Sequence, residues 1–379
     1  MKLYLIAGEP SGDALGAALM AGLKALKPDV SFHGIGGPLM QAEGLTSLFP
    51  MEELSVMGIA EVLPKYRALK RRIAQTAEDV LAERPAALIT IDSPDFCLRV
   101  ASRVRARDQG IRTIHYVAPS VWAWRPGRAA KMARVIDHVL ALLPFEPPYM
   151  TIAGMTCDFV GHPVVSQPRA SAEEAQAFRN DIGVEGPLIM ALPGSRRGEV
   201  SRLAPVIGQV LARIQEVHPT ARVVLPTLRT VAPMVEDLTA DWPLAPLIVE
   251  APEARRAAFA AADVAIAASG TVSLELAANE VPMVIAYDMH PLTLWMMRRI
   301  ALVDTVTLVN LVSETRAVPE FIGDRCRADL IAPALLDLIG DTPACKAQLT
   351  AMATTMERLG QGGEPPGLRA ARSVLAALA

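Results

Sequence analysis

The chain lacks the patterns of a metalloprotein, a disulfide-built protein or a membrane span. Its four cysteines, Cys97, Cys157, Cys326 and Cys345, form no C-x-x-C pair and no metal-ligand spacing, and its six histidines include no H-x-x-x-H. No apolar segment runs uninterrupted for the ~18 residues of a spanning helix. The opening MKLYLIAGEPSGD is not an export signal, because its short apolar stretch ends in acidic and turn residues. The cysteines are therefore expected as reduced cytosolic thiols, mostly filling a core. A basic excess is also missing: the net charge of −3 and pI near 6.1 argue against a general nucleic-acid binder. Absent too are a Walker A Gly-Lys-Ser/Thr, a G-x-S-x-G elbow and the D-x-D that binds a metal–diphosphate. Yet 51% of the residues are hydrophobic and the mean hydropathy is +0.30. Such apolarity without a span leaves a large α/β core or a protein resting on a membrane surface.

What is present is a rhythm. A chain of 379 residues suggests two domains. Short apolar runs alternate with helical patterns at Leu3–Ala7, Ser31–Ile35, Ala87–Ile91, Thr113–Val117, Val139–Leu143 and Cys157–Val160. The rhythm repeats at Leu188–Leu192, Arg222–Leu225, Leu247–Val249, Val264–Ala268, Met283–Tyr287 and Thr305–Val309. The pattern predicts an α/β protein of two Rossmann-like, doubly wound parallel-sheet domains with a central cleft. Periodicity breaks at GHPVVSQPRAS, residues 161–171, a hinge that separates a domain over 1–164 from one over 165–345. A C-terminal helical segment over 346–379 is interrupted by the loop GQGGEPPG.

Ligands of such sheets lie at the carboxyl ends of strands, so the loops there carry the information. The central one is DVAIAASGTVSLELAANEVPMVIAY, residues 263–287. A buried strand meets a helix from about Thr271 to Asn279 through Ser269-Gly270-Thr271, where free amides and the helix end favour an anion. Glu275, one turn past Thr271, is within reach of a neighbouring ribose hydroxyl. An ordinary capped turn has the same spacing. ALPGSRRGEV repeats the arrangement: Gly194 and Ser195 open a helix, and Arg196 and Arg197 stand beside its amino end. Two anion sites and a ribose-reaching acid fit a nucleoside diphosphate. Without D-x-D, Arg196 and helix ends would neutralise it in place of a metal.

In the first half, GEPSGDALG carries Glu9, Ser11 and Asp13 and reads either as a cleft wall for polar substrate groups or as a capped turn. GIGGP begins like a dinucleotide fingerprint, but Leu39 replaces the third glycine, so no nicotinamide cofactor is expected. IDSPDF brings Asp92 and Asp95 off a strand end; Asp92 is placed to act as a general base, and both also suit helix caps. The block His115, Trp122, Trp124, Arg125, Arg128 and Lys131 suits a sugar ring and a phosphate. Residues 51–74 run from Leu54, Val56, Met57, Ile59, Val62 and Leu63 to Lys65, Arg67, Lys70, Arg71 and Arg72. That order suits an anionic lipid surface and equally a helix with one buried and one solvated face.

Taken together, AGEPSGD, GPLMQAEG, MEELSVMGI, IDSPDF, HYVAPSVWAWR, LLPFE, FVGHP, LPGSR, ASGTVSLE, PMVIAY and LVNL resemble the lipid-A-disaccharide synthase family over nearly the whole chain. The resemblance implies a GT-B type glycosyltransferase without cofactor or metal. It would join UDP-2,3-diacylglucosamine to 2,3-diacylglucosamine 1-phosphate with inversion, giving a β-1′,6-linked disaccharide and UDP. It further implies Asp92 as base, Arg196 on the diphosphate, Glu275 as the nucleotide-binding acid and Asn310 as a polar residue tied to activity. With these go Gly194, Ser195, Ser269, Gly270 and Thr271 on the UDP side. Glu9, Ser11, Asp13, His115, Trp124 and Arg125 fall on the acceptor side. Leu39 departs from relatives that carry arginine there. The implied place is the cytoplasmic face of the inner membrane, held peripherally by residues 51–63 and by Leu292–Met297 beside Arg298 and Arg299. The oligomeric state, a homodimer included, stays open. A UDP-sugar epimerase, another lipid-acceptor glycosyltransferase and a non-catalytic UDP-sugar binder are the alternatives on the same fold.

Overall fold

The computed structural model describes residues 1–54 and 59–379, the side chains of 59–66 and 291 excepted. The chain forms two compact units, Met1–Ser166 with Gly362–Ala379, and Gln167–Gln361.

The first unit is built on a parallel sheet of β1 (Lys2–Ala7), β2 (Ser31–Ile35), β3 (Thr46–Ser47), β4 (Ala87–Ile91), β5 (Arg112–Tyr116), β6 (His138–Ala141) and β7 (Thr156–Phe159). The order is β3-β2-β1-β4-β5-β6-β7, with Leu5 opposite Gly34 on one side and Ile89 on the other. Every residue of β4 is buried, Thr90 included, as a strand with helices over both faces requires. The order reverses between β1 and β4, the switch point beside which sheets of this kind bind ligands. The loops leaving these two strands meet at one point: a Cβ on Gly8 would stand 2.7 Å from Ser93 Oγ.

The helix Pro366–Leu378 completes this unit by packing on the helix Pro10–Leu26 through small residues. A Cβ on Gly22 would fall 2.6 Å from the Gly367 carbonyl oxygen, and one on Gly367 2.5 Å from that of Ala18. Ser373 Oγ donates to Asp158 at 2.6 Å and lies 2.8 Å from His138 Nε2.

The second unit has its own parallel sheet of β8 (Leu188–Leu192), β9 (Arg222–Pro226), β10 (Pro246–Val249), β11 (Val264–Ala267), β12 (Met283–Tyr287) and β13 (Glu320–Ile322). Its order, β10-β9-β8-β11-β12-β13, reverses between β8 and β11. The helix Pro343–Arg358 stays with this unit, where the buried Gln348 amide bonds the Met283 N–H at 2.8 Å and its carbonyl at 2.9 Å.

One expected strand is absent. Thr305–Val309 reads as a strand, but 305–307 is extended loop and Leu308–Ser313 is helix. The reason is Glu320, whose Oε1 takes the hydroxyls of Thr305 and Thr307 and the amides of Val306 and Thr307. A carboxylate thus satisfies the groups that a neighbouring strand would have paired. The sixth position goes instead to the three-residue β13, next to β12.

Candidate active site

In the second unit the two strands flanking the reversal, β8 and β11, deliver the expected loops to one cavity of about 480 Å³. Gly194, Ser195 and Arg196 line it from one side, and Ser269, Gly270, Thr271 and Glu275 from the other. Gly194 holds φ +115° and Gly270 φ +134°, conformations that a side chain rarely tolerates. At Gly194 space is short as well, since a Cβ would stand 2.6 Å from the Glu199 side chain. The expected caps are not used. Thr271 begins the helix Val272–Ala278 without a side-chain cap, and the Ser269 hydroxyl donates to the Val306 carbonyl at 3.3 Å.

The sequence does not announce the pocket's charge pairing. Glu199 Oε2 accepts from the amides of Ser195 at 3.2 Å and Arg196 at 3.4 Å, and its Oε1 from the Arg196 guanidinium at 3.1 Å. The donors expected to hold an anion therefore already close on a carboxylate. Across the cavity Glu275 pairs with Arg255 at 3.5 Å. Burial raises the Glu275 carboxyl pKa, and Arg255 draws it back down. Thr227, also on the wall, has a buried hydroxyl with no partner among the described residues. Arg255, Glu199 and Thr227 were not among the expected site residues; only the acid in the first turn of the Arg197–Val217 helix hinted at Glu199.

Asn310 is buried outside this lining. Its amide donates to Thr305 Oγ1 at 3.2 Å and to the Val318 carbonyl at 2.9 Å, and its oxygen accepts from the Val318 N–H at 3.0 Å. It reaches the pocket only through 305–307, the segment whose Val306 receives the Ser269 hydroxyl.

In the first unit Asp92 leaves β4 with φ +50° and Ser93 follows at φ +43°, while Val117 leaves β5 at φ +85°. For a β-branched residue that is a strained backbone, and such strain gathers at functional sites. The three border one cavity or its rim, about 220 Å³, lined among others by Asp92, His115, Ser120 and Arg128. Among the described residues the Asp92 carboxylate caps no helix: Ser93 occupies the cap position of the helix Pro94–Arg105 without a side-chain bond. His115 is buried with Nδ1 2.7 Å from Thr90 Oγ1, and burial pushes its pKa down to about 4, so it is neutral at pH 7.

Asp13 and Trp122 serve the scaffold. Asp13 does not cap its own helix, which begins at Pro10 with Glu9 in the cap position. At 3% exposure, it accepts from the amides of Gly37 at 2.9 Å and of Leu39 and Met40 at 3.0 Å, pinning the GIGGP turn. Ser11 is exposed beside it. Trp124 lies under the exposed Arg125 guanidinium at 4.2 Å. Trp122 instead donates to buried Glu146 at 3.2 Å. Burial pushes the Glu146 carboxyl up to about 7, against the pull of the Leu143, Trp122 and Leu142 N–H donors. Of the suspected lipid-facing stretch, Met51 is buried and Leu54 packs on the first core. Val56, Met57 and the side chains of Ile59, Val62, Leu63 and Lys65 lie outside the described residues. Among the described residues no cluster of His, Cys, Asp and Glu has the make-up of a metal site.

The family model for lipid-A-disaccharide synthetase matches residues 3–364. The lipid-A-disaccharide synthase of Ruegeria pomeroyi is 61% identical, covering 99% of this chain and 95% of its own. That of Rhodospirillum centenum is 46% identical, over 99% and 94%. Among solved structures, a UDP-GlcNAc 2-epimerase from Neisseria meningitidis bound to UDP-GlcNAc superposes with a TM-score of 0.67 at 11% identity, covering 100% of this chain and 99% of its own. One from Methanocaldococcus jannaschii, in complex with UDP-GlcNAc and UDP, gives 0.58 at 13%, covering 99% of each. At such identities the likeness concerns the fold alone, which is GT-B-like.

Proposed function

The chain belongs to the lipid-A-disaccharide synthetase family, glycosyltransferases of lipid A biosynthesis, and on that premise we propose its substrates, stereochemistry and working residues. The donor is UDP-2,3-diacylglucosamine and the acceptor 2,3-diacylglucosamine 1-phosphate. The acceptor's 6-hydroxyl oxygen attacks the anomeric carbon in line with the leaving group. The carbon–oxygen bond to the diphosphate breaks, UDP departs, and the hydroxyl proton passes to Asp92. One displacement turns an α-linked donor into a β-1′,6-linked disaccharide 1-phosphate.

The observation that carries the donor side is the nest at Ser195 and Arg196, which already holds the Glu199 carboxylate where a diphosphate would sit. Backbone amides plus a guanidinium stabilise charge as it develops on the leaving oxygen. Glu275 takes the ribose hydroxyls, and Ser269, Gly270 and Thr271 complete the wall. On the acceptor side, Asp92 in its strained turn is the base, a role typically worth ~10²–10⁴-fold. His115 lines the cavity beside Asp92, and Glu9, Ser11, Trp124 and Arg125 contribute polar and stacking contacts to the acceptor outside it, while Asp13 and Asn310 act through the turns they pin.

The enzyme rests on the cytoplasmic face of the inner membrane. In support, no helix of the described residues is long and apolar enough to cross a bilayer. The helix Pro291–Ile300 presents Leu292 at 68% exposure and Trp295 at 53%, next to exposed Leu302. Arg299 stacks 3.9 Å over Trp295, a cation placed among apolar groups as an anionic interface favours.

The test is UDP release from the diacylated donor with and without the monosaccharide phosphate. Release only with acceptor present supports the reading; acceptor-independent conversion of the donor points to an epimerase and overturns it.

A further inference from the structure

We propose that Arg128 binds the phosphomonoester of the acceptor, so that the cavity beside Asp92 selects a phosphorylated sugar over its unphosphorylated counterpart. The inference rests on the acceptor reading of that cavity and gives it a specificity element.

The argument is one of sorting within a single basic-aromatic block. His115 lines the cavity but is engaged with Thr90 and carries no charge at neutral pH. Trp122 is committed to Glu146 and stacks edge-on against Phe145. Arg125 lies over Trp124, and neither it nor exposed Lys131 lines the cavity. Arg128 does. It reaches the wall from the helix Gly127–Met132, half-buried, and its guanidinium has no hydrogen bond or ion pair among the described residues. Among the described residues that line the cavity it is the only cation, and Asp92 is the only carboxylate.

Two physical points follow. A guanidinium that has given up part of its water without gaining a protein acceptor is poised for an anion, and its planar fork matches two phosphate oxygens at once. Arg128 and Asp92 line the same cavity without forming an ion pair, so one wall group attracts phosphate and another repels it. A sugar entering there is oriented with its phosphate toward Arg128 and a hydroxyl toward Asp92. A space of about 220 Å³ has room for a polar head.

The test uses the full-length enzyme, the diacylated donor and two acceptors, the monosaccharide 1-phosphate and its dephosphorylated form. In the wild type the phosphorylated acceptor is expected to show the lower KM, and inorganic phosphate to compete with it. R128Q should raise KM for the phosphorylated acceptor roughly ten- to hundredfold, collapsing the discrimination toward unity. R128K, which keeps the charge but loses the fork, should recover part of it. UDP affinity, measured separately, reports that each variant is folded. Retained discrimination in both R128Q and R128K overturns the assignment while leaving the acceptor reading intact. No UDP release by the wild type with either acceptor overturns the acceptor reading itself.

Discussion

Replacing Arg255 with methionine removes the cation paired with Glu275 while keeping much of the side chain's length. At 3.5 Å, with both side chains about one-third exposed at 33% and 34%, the pair is neither in bulk water nor in a dry interior. Two unit charges at 4 Å attract by ~1 kcal/mol in water and ~4 kcal/mol at an effective dielectric near 20. Screening of a part-exposed pair favours the lower end, ~1–2 kcal/mol. Burial already raises the Glu275 carboxyl and Arg255 lowers it, so R255M moves it further up. A carboxylate accepts ribose hydroxyls best when ionised. UDP affinity should therefore be complete above the Glu275 pKa and fall as pH drops through it, and in R255M the fall should begin at higher pH. Between the two midpoints the variant should bind UDP up to about tenfold more weakly, and at high pH the curves should converge. The other charged groups on the pocket wall, Arg196 and Glu199, remain in both proteins. The ligand's own phosphate titration is likewise common to both and drops out of the comparison. Calorimetric titration with UDP from pH 5 to 9 makes the measurement, with E275Q as the control that flattens the profile. A loss uniform across pH would place Arg255 on the diphosphate instead and refute the reasoning.

Asp92→Asn is expected to lower turnover ~10²–10⁴-fold with UDP affinity retained, and near-wild-type turnover would remove Asp92 as the base. Asp13→Ala strands the amides of Gly37, Leu39 and Met40, two of these bonds being buried; roughly 2–5 kcal/mol of the first unit's stability should go, read as a lowered unfolding midpoint. Gly194→Ala forces a side chain into φ +115° against Glu199, a strain of roughly 1–3 kcal/mol that should weaken UDP binding about tenfold or more without unfolding the protein. A chelator is expected to leave the rate of UDP release unchanged, because Arg196 and main-chain amides are assigned the diphosphate charge; a rate restored only by a divalent ion would overturn that assignment.

The sheets were legible because their central strands are unbroken apolar runs. β8 and β11 are buried throughout, and a run of that kind between helical patterns has few other uses. The Gly194 and Gly270 turns were legible for a related reason, since a glycine between a strand and a helix marks where backbone must bend sharply. What stayed hidden depends on partners distant in sequence. Thr305–Val309 has strand-like composition, and only Glu320 decides that it is loop and helix. Asp13 looks like a cap until the amides of Gly37, Leu39 and Met40 turn toward it. The Glu275–Arg255 and Glu146–Trp122 pairs join residues about twenty apart through the fold, where no periodicity reports them. Arg128 was visible as one of several cations, but its selection required knowing which side chain faces the cavity.

The return of helix Pro366–Leu378 to the first unit has a bearing on biosynthesis. A nascent chain emerging from the ribosome meets all seven strands of its first sheet early. The piece that seals the Gly22 face and engages His138 and Asp158 arrives only after roughly 200 further residues have been added. At typical elongation rates that delay is on the order of 10–40 s. During it, an apolar seam lies uncovered, a natural target for holding chaperones. Truncations that spare every residue of the nucleotide pocket should still yield aggregates when they remove this closing helix.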